Sequence, residues 1–156
     1  MHILTRSIVA VVLAASAAHA QAKQPSLSGE WTLNPGKSDF GAMPAPTSGL
    51  SATTVQSPAS FKLTTVVTGG PTVTQEFPLS AKDTTWTAPD GQPATSSSSW
   101  AGDTLVINTK LQRQGMDISL VGRWSTSADG KTMTMMQQST TPMGPMNVTL
   151  VFDRKN

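Results

Sequence analysis

Few side chains in this sequence could carry chemistry. Its two histidines, His2 and His19, both fall in the first 20 residues, and it has no cysteine and no tyrosine. Those are the residues that usually serve as a tuned base or an activated nucleophile near neutral pH. What remains for catalysis is Lys37 beside Ser38 in a proline-rich stretch, together with nine carboxylates. Adjacent Lys and Ser on a loop arise often by chance. Asp90, Asp103 and Asp129 lie in turn sequences, where Asp is favoured for backbone reasons. No two carboxylates are spaced as an acid–base couple. The sequence therefore reads as a non-enzyme with no cofactor.

Two other groups of residues could bind rather than react. Met133, Met135, Met136, Met143 and Met146 place five methionines within 14 residues. Thioethers suit Cu(I), so Met133, Met135, Met143 and Met146 form the one candidate metal set, a third reading behind two others. Methionine is also an ordinary gap-filler in apolar cores. The second group emerges only once the strands are laid out.

Position in the cell comes from the first residues. Arg6, an apolar run over residues 8–15 and Ala18-His19-Ala20 together make a secretory signal peptide over residues 1–20. The apolar run is too short to span a bilayer, which needs ~20 apolar residues. The expected product is exported, periplasmic or secreted, with a flexible linker at 21–28 and one domain at 29–156. Removing residues 1–20 also removes both histidines. The chain carries 11 basic and 9 acidic residues, a formal +2, which gives no footprint for nucleic acid or a charged membrane surface. It also lacks the aromatic girdles of an outer-membrane barrel, so no membrane insertion is expected. Without cysteine, stability must come from a packed core, which a domain of this length can build.

Residues 21–156 hold 37 serines and threonines and all of the glycine and proline, a composition that could suggest disorder. The apolar pattern argues otherwise. Read with period two, the chain breaks into short alternating runs between turn signals. Trp31 and Leu33 share a face, then a loop spans residues 34–49. Phe61, Leu63 and Val67 are in phase, as are Val73 and Phe77, and Trp86 stands in a short run of its own. The strongest alternation is Leu105, Ile107, Thr109 and Leu111, followed by Met116, Ile118, Leu120 and Trp124. Met133 and Met135 precede a last run of Met146, Val148, Leu150 and Phe152. Asp129-Gly130 reads as a hairpin turn. No helical period appears over a helix-length window.

Eight to ten strands with short connections predict an all-β, up-and-down antiparallel barrel, closed to remove aggregation-prone edges, although periodicity alone also admits a sandwich. The inward faces carry the apolar residues above, with Phe77 and Trp86 among them. The polar members of those faces are Gln75, Thr109, Arg113 and Gln137. An inward Arg is costly unless paired, so Arg113 marks either an anionic headgroup or a side chain that escapes to solvent from its strand end. These six residues form the candidate ligand site. The expected partner is a small apolar or amphipathic molecule. The alternative is a ligand-free structural or interaction module of the cell envelope, with protein partners unspecified.

Gly29-Glu30-Trp31 at the head of the first run resembles the G-x-W that opens the barrel of lipocalins and their relatives. In that family the Trp closes the barrel base beneath a basic side chain from a late strand. The resemblance implies that Gly29, Trp31 and Arg154 play this closing part here. A longer match covers nearly the whole mature chain. Gly29 to Gly41, Trp100-Ala101-Gly102-Asp103-Thr104-Leu105-Val106-Ile107, Arg123 to Thr132 and Val151-Phe152-Asp153-Arg154 resemble an uncharacterised family of secreted bacterial lipocalin-like proteins. That family reads GTWxLNxxKSxFG, WxGDTLVI, RWSxSxDGKT and VFxK at these places. Glu30 and Arg154 depart from its usual Thr and Lys, and the second departure keeps the charge. The resemblance implies a lipocalin-like barrel and brings no activity or ligand with it.

Overall fold

Residues 24–156 are described by the computed structural model, so the signal peptide expected at 1–20 lies outside the described residues. Each alternating run becomes a strand. These are β1 (Gly29–Leu33), β2 (Leu50–Gln56), β3 (Ser60–Val67), β4 (Thr72–Pro78), β5 (Thr84–Thr87), β6 (Pro93–Ala101), β7 (Thr104–Arg113), β8 (Met116–Thr126), β9 (Thr132–Thr141) and β10 (Gly144–Arg154). All pairings are antiparallel, in the order β4-β3-β2-β1-β10-β9-β8-β7-β6-β5. Only the β1–β10 pairing joins strands that are not consecutive, and it turns the meander into a nearly closed barrel.

The turns explain the registers. Gln114 and Gly115 both have positive φ (52° and 76°), as a tight two-residue hairpin requires, and Arg113 pairs with Met116 across it. The Ser-rich β6, polar on both faces, is held between β5 and β7, and its inward Ala94, Ser96 and Ser98 are buried. The loop at 34–49 is partly ordered along β10. Asp39 exchanges two 2.7 Å backbone hydrogen bonds with Thr149, and Asn34 N donates to Val151 O at 2.8 Å. Gly41, at φ 59°, leaves no room for a Cβ beside the Asn147 carbonyl.

One end of the barrel is solid. Leu27, Trp31, Leu33, Phe61, Leu105, Trp124, Met133 and Phe152 are buried together where β1, β3 and β7–β10 meet. Leu27 corrects the expected linker at 21–28. It is 0% exposed, its N–H donates to Gln56 Oε1 at 2.9 Å, and its carbonyl accepts from Thr54 Oγ1. An apolar side chain two residues before the first strand gains most by plugging the barrel base. The fold therefore begins before Gly29.

Trp31 sits at the centre of this base. Its Nε1 donates to Thr54 Oγ1 at 2.8 Å, and the Arg154 guanidinium lies 4.2 Å from its ring centroid. Gly29 makes the stack possible, because a Cβ there would stand 2.5 Å from Arg154 Nη1 and 3.1 Å from Trp31 Cζ2. The seam between β4 and β5 is bridged differently. Ser98 N donates to Ser80 O at 2.7 Å, and inside the barrel Phe77 and Trp86 meet edge-to-face at 5.0 Å.

Two outcomes are expected. Thr54→Val leaves the Trp31 N–H buried without an acceptor and costs ~1–3 kcal/mol, whereas Trp31→Ala costs ~3–5 kcal/mol. Urea unfolding curves measure both.

Asp153 gives a pH signature. Asn34 Nδ2 donates to Oδ2 at 2.6 Å and Lys37 Nζ to Oδ1 at 3.1 Å, and these bonds hold its carboxyl below the ordinary 3.8, the Asn34 bond most strongly. A depressed carboxyl adds stability that is complete above the unfolded value and disappears as pH falls through the folded one. The stability gap between the native chain and Asp153→Asn should therefore stay level from neutral pH down to about that ordinary value, then close below it. Urea midpoints across an acid series report the gap.

Candidate functional site

The inward faces change size along their length. On β8, Trp124 at the base gives way to Gly122 and Leu120. On β9, Met133 and Met135 give way to Gln137 and Ser139, and on β6 Trp100 gives way to Ser98, Ser96 and Ala94. Large groups fill the base and smaller ones leave space above it. That space is a cavity of about 350 Å³. Its volume lies toward the lower end of the range for small-molecule pockets, ~300–1,000 Å³.

The cavity gathers all six residues that the sequence pattern put forward for a ligand. Gln75 and Phe77 come from β4, Trp86 from β5, Thr109 and Arg113 from β7, and Gln137 from β9. Leu63, Ile107, Leu111, Leu120, Trp124 and Met135 complete its apolar wall. A run of ring contacts leads from the base to β5. Trp124 meets Phe61 edge-to-face at 5.1 Å, Phe61 stacks on Phe77 at 6.5 Å, and Phe77 meets Trp86. Val73, in phase with Phe77, instead lies near the free end of β4 and is 37% exposed.

Arg113 is at the mouth, and its partner is Asp90 in the β5–β6 turn. Arg113 Nε and Nη2 both donate to the Asp90 carboxylate, Nη2 at 3.0 Å, while Nη1 donates to the Gln112 carbonyl at 2.7 Å. The fork expected to meet either a ligand or solvent is thus engaged by the protein itself. Asp90 reads from sequence as a turn residue, and it is one: Gln92 N donates to its Oδ1 at 3.1 Å. No local signal ties it to a side chain 23 positions away. Gly122 was also missed. The available clue was a glycine in phase with Leu120 and Trp124, since an inward strand glycine marks a close approach. A Cβ there would stand 3.2 Å from Trp124 Nε1.

Two buried polar groups in or beside the wall are orphans. Trp86 Nε1 and Ser96 Oγ are buried with no hydrogen-bond partner. Ser96 pairs across the ladder with Thr84 on one side and with the cavity residue Thr109 on the other.

The methionines do not converge. Met133 is fully buried in the base, Met135 lines the cavity, and Met143 at the β9–β10 turn is 89% exposed. Met146 pairs with Ser139, six residues along β9 from Met133, or about 20 Å at ~3.3 Å per residue. The four thioethers cannot share one ion, because β9 runs the length of the barrel between them. Among the described residues no cluster of His, Cys, Asp or Glu could hold a metal either. Lys37 and Ser38 are likewise engaged structurally, Lys37 with Asp153 and Ser38 Oγ with the Asn34 carbonyl at 2.8 Å. A second hollow of about 510 Å³ lies near the base, edged by Ser57, Pro58, Ser80 and Ser99 together with Leu79 and Trp100, and holds none of the six candidate ligand residues.

No family model matches the chain, and no curated protein matches it in sequence. Solved structures do match its fold. A REP1-NXSQ fatty acid transporter shares 12% identity at a TM-score of 0.58, over 83% of this chain and 96% of that one. The zebrafish ileal bile acid-binding protein complexed with cholic acid shares 14% identity at 0.58, over 82% and 98%. Lipid binding protein 8 of Caenorhabditis elegans, in its apo form, shares 10% identity at 0.57, over 82% and 94%. At such identities the likeness establishes a common lipocalin-like barrel fold.

The orphaned Ser96 hydroxyl yields a stability prediction. Deleting a buried polar group that has no partner removes a desolvation cost, so Ser96→Ala should raise the stability of the ligand-free protein by ~1 kcal/mol. Thermal or urea unfolding of the two proteins is the check.

Proposed function

We propose that this chain is an exported barrel that carries or stores a small apolar or amphipathic molecule inside its cavity, and that it is a binding protein rather than an enzyme. The observation that supports this most directly is the 350 Å³ space, lined by aromatic and aliphatic side chains with a few inward polar groups. Binding sites for small molecules have that composition. A purely structural module would be expected to fill its interior with its own side chains, as the base of this barrel does. The fold likeness to proteins named for fatty acid transport, bile acid binding and lipid binding points the same way.

Export rests on the signal-peptide pattern of residues 1–20 and agrees with a cysteine-free chain that relies on core packing alone. Membership of the secreted bacterial lipocalin-like family rests on the four motifs from Gly29 to Arg154. The absence of His, Cys and Tyr from residues 21–156 supports the non-enzymatic reading.

The test uses N-phenyl-1-naphthylamine, a neutral dye that brightens in apolar surroundings. The native chain should bind it saturably at one site and quench Trp86 and Trp124, both in the cavity wall. Leu120→Trp fills the same space and should weaken binding by about tenfold or more while circular dichroism still reports a folded barrel; overfilled cores usually lose ~1–3 kcal/mol. Equal binding by both proteins would place the dye elsewhere and end this reading.

A further inference from the structure

The cavity lining contains two ionisable residues, Asp90 and Arg113, and they have opposite sign. We propose that the cavity selects a neutral amphiphile, such as an alcohol, ester or amide, over the carboxylate of the same skeleton. This rests on the ligand-binding reading above and adds the headgroup chemistry.

The argument begins with the guanidinium. Nε and Nη2 are on the Asp90 carboxylate and Nη1 is on the Gln112 carbonyl, so the face of the fork that would grip a carboxylate is taken. A ligand anion arriving at the mouth must displace Asp90 or sit beside it. Either arrangement gathers two negative groups around one positive one, and like charges in one site disfavour each other. The Arg113 side chain is only 21% exposed, so solvent screens this conflict incompletely.

Deeper placement does not help an anion. Inside the mouth the polar side chains of the lining are the Gln75 and Gln137 amides and the Thr109 hydroxyl, all neutral. A carboxylate moved there would lose its hydration and meet no cation. A hydroxyl, ester or amide has far less hydration to lose than a carboxylate. A hydroxyl or an amide can both give and take hydrogen bonds with glutamine amides, and an ester can take them. The lining residue Trp86 also holds an unpartnered indole N–H, and the buried, unpartnered Ser96 hydroxyl stands on the strand ladder directly opposite the lining residue Thr109. An unmet neutral donor in the lining, without a free cation, describes a site for a dipole rather than a charge.

A matched pair tests this: 1-decanol and decanoate, ten-carbon chains that differ only in the headgroup. Calorimetric titration is done at mildly alkaline pH, where decanoate is fully ionised. The native chain should bind decanol about tenfold more tightly than decanoate, or better, because the anion has no partner to replace its water. Asp90→Asn keeps the acceptor for Gln92 N but frees the Arg113 charge. It should raise the decanoate-to-decanol affinity ratio by about fivefold or more. Decanoate binding to the native chain as tightly as decanol would overturn the proposal, as would a ratio that Asp90→Asn leaves unchanged. Failure of both ligands together with the naphthylamine dye would instead remove the cavity-binding reading itself.

Discussion

The barrel depends on how its first strand is fastened to its last. β1 is five residues long and shares only three register pairs with β10, yet this joint closes the sheet. The Trp31 side chain concentrates the fastening. Its N–H is held by Thr54 of β2, its face by Arg154 of β10, and its edge is cleared by the missing side chain of Gly29. The same guanidinium reaches further, with Nε donating to the Gly130 carbonyl in the β8–β9 turn at 2.6 Å. A cation on an indole contributes only ~0.5–2 kcal/mol. Its importance lies in tying together segments that are distant in sequence, where no hairpin fixes the register.

Closure at the base permits emptiness above it. A barrel of this size could be filled by its own side chains throughout. Here the inward residues shrink away from Trp31. Trp124 is followed by Gly122, Met135 by Gln137, and Trp100 by Ser98, Ser96 and Ala94, each on the same face of its own strand. β8 and β9 are neighbours and β6 is one strand away across β7, so the missing volume accumulates in one place instead of being spread as small voids. Packing density elsewhere can then stay high, because the ring series Trp124, Phe61, Phe77 and Trp86 runs in unbroken contact from the base to β5.

Much of this was legible in the sequence because alternation is a local code. The phase of Leu105, Ile107 and Thr109 fixes which way Arg113 points, and the phase of Phe77 brings Gln75 to the same side. That is why the six residues picked by phase all line one cavity. The G-x-W resemblance likewise pointed to the Trp31–Arg154 contact. Contacts between loops and distant strands were not legible. Nothing local marks Asp90 as the partner of Arg113, or Leu27 as a plug. The methionine cluster misled in the complementary way. Neighbours in sequence along an extended strand move apart by ~3.3 Å per residue, so a cluster of six or more positions is a line and not a site.

The low charge content follows the same geometry. Outward faces carry hydroxyls that pair across strands, as Thr64 with Thr74 at 3.1 Å and Thr85 with Thr95 at 3.4 Å. Such pairs add modestly to a sheet, ~0.2–1 kcal/mol each, without the repulsions that dense like charges bring. Ion pairs occur instead where elements must be joined across sequence. Lys37 with Asp153 ties the 34–49 loop to β10, Lys110 with Asp83 joins β7 to the β4–β5 connection, and Arg113 with Asp90 joins two turns at the mouth. Two of these are well exposed and contribute through placement more than through energy. The third differs because it stands at the entrance to an apolar space. There a balanced pair leaves the field inside the cavity close to neutral, while either charge alone would impose its sign on whatever enters.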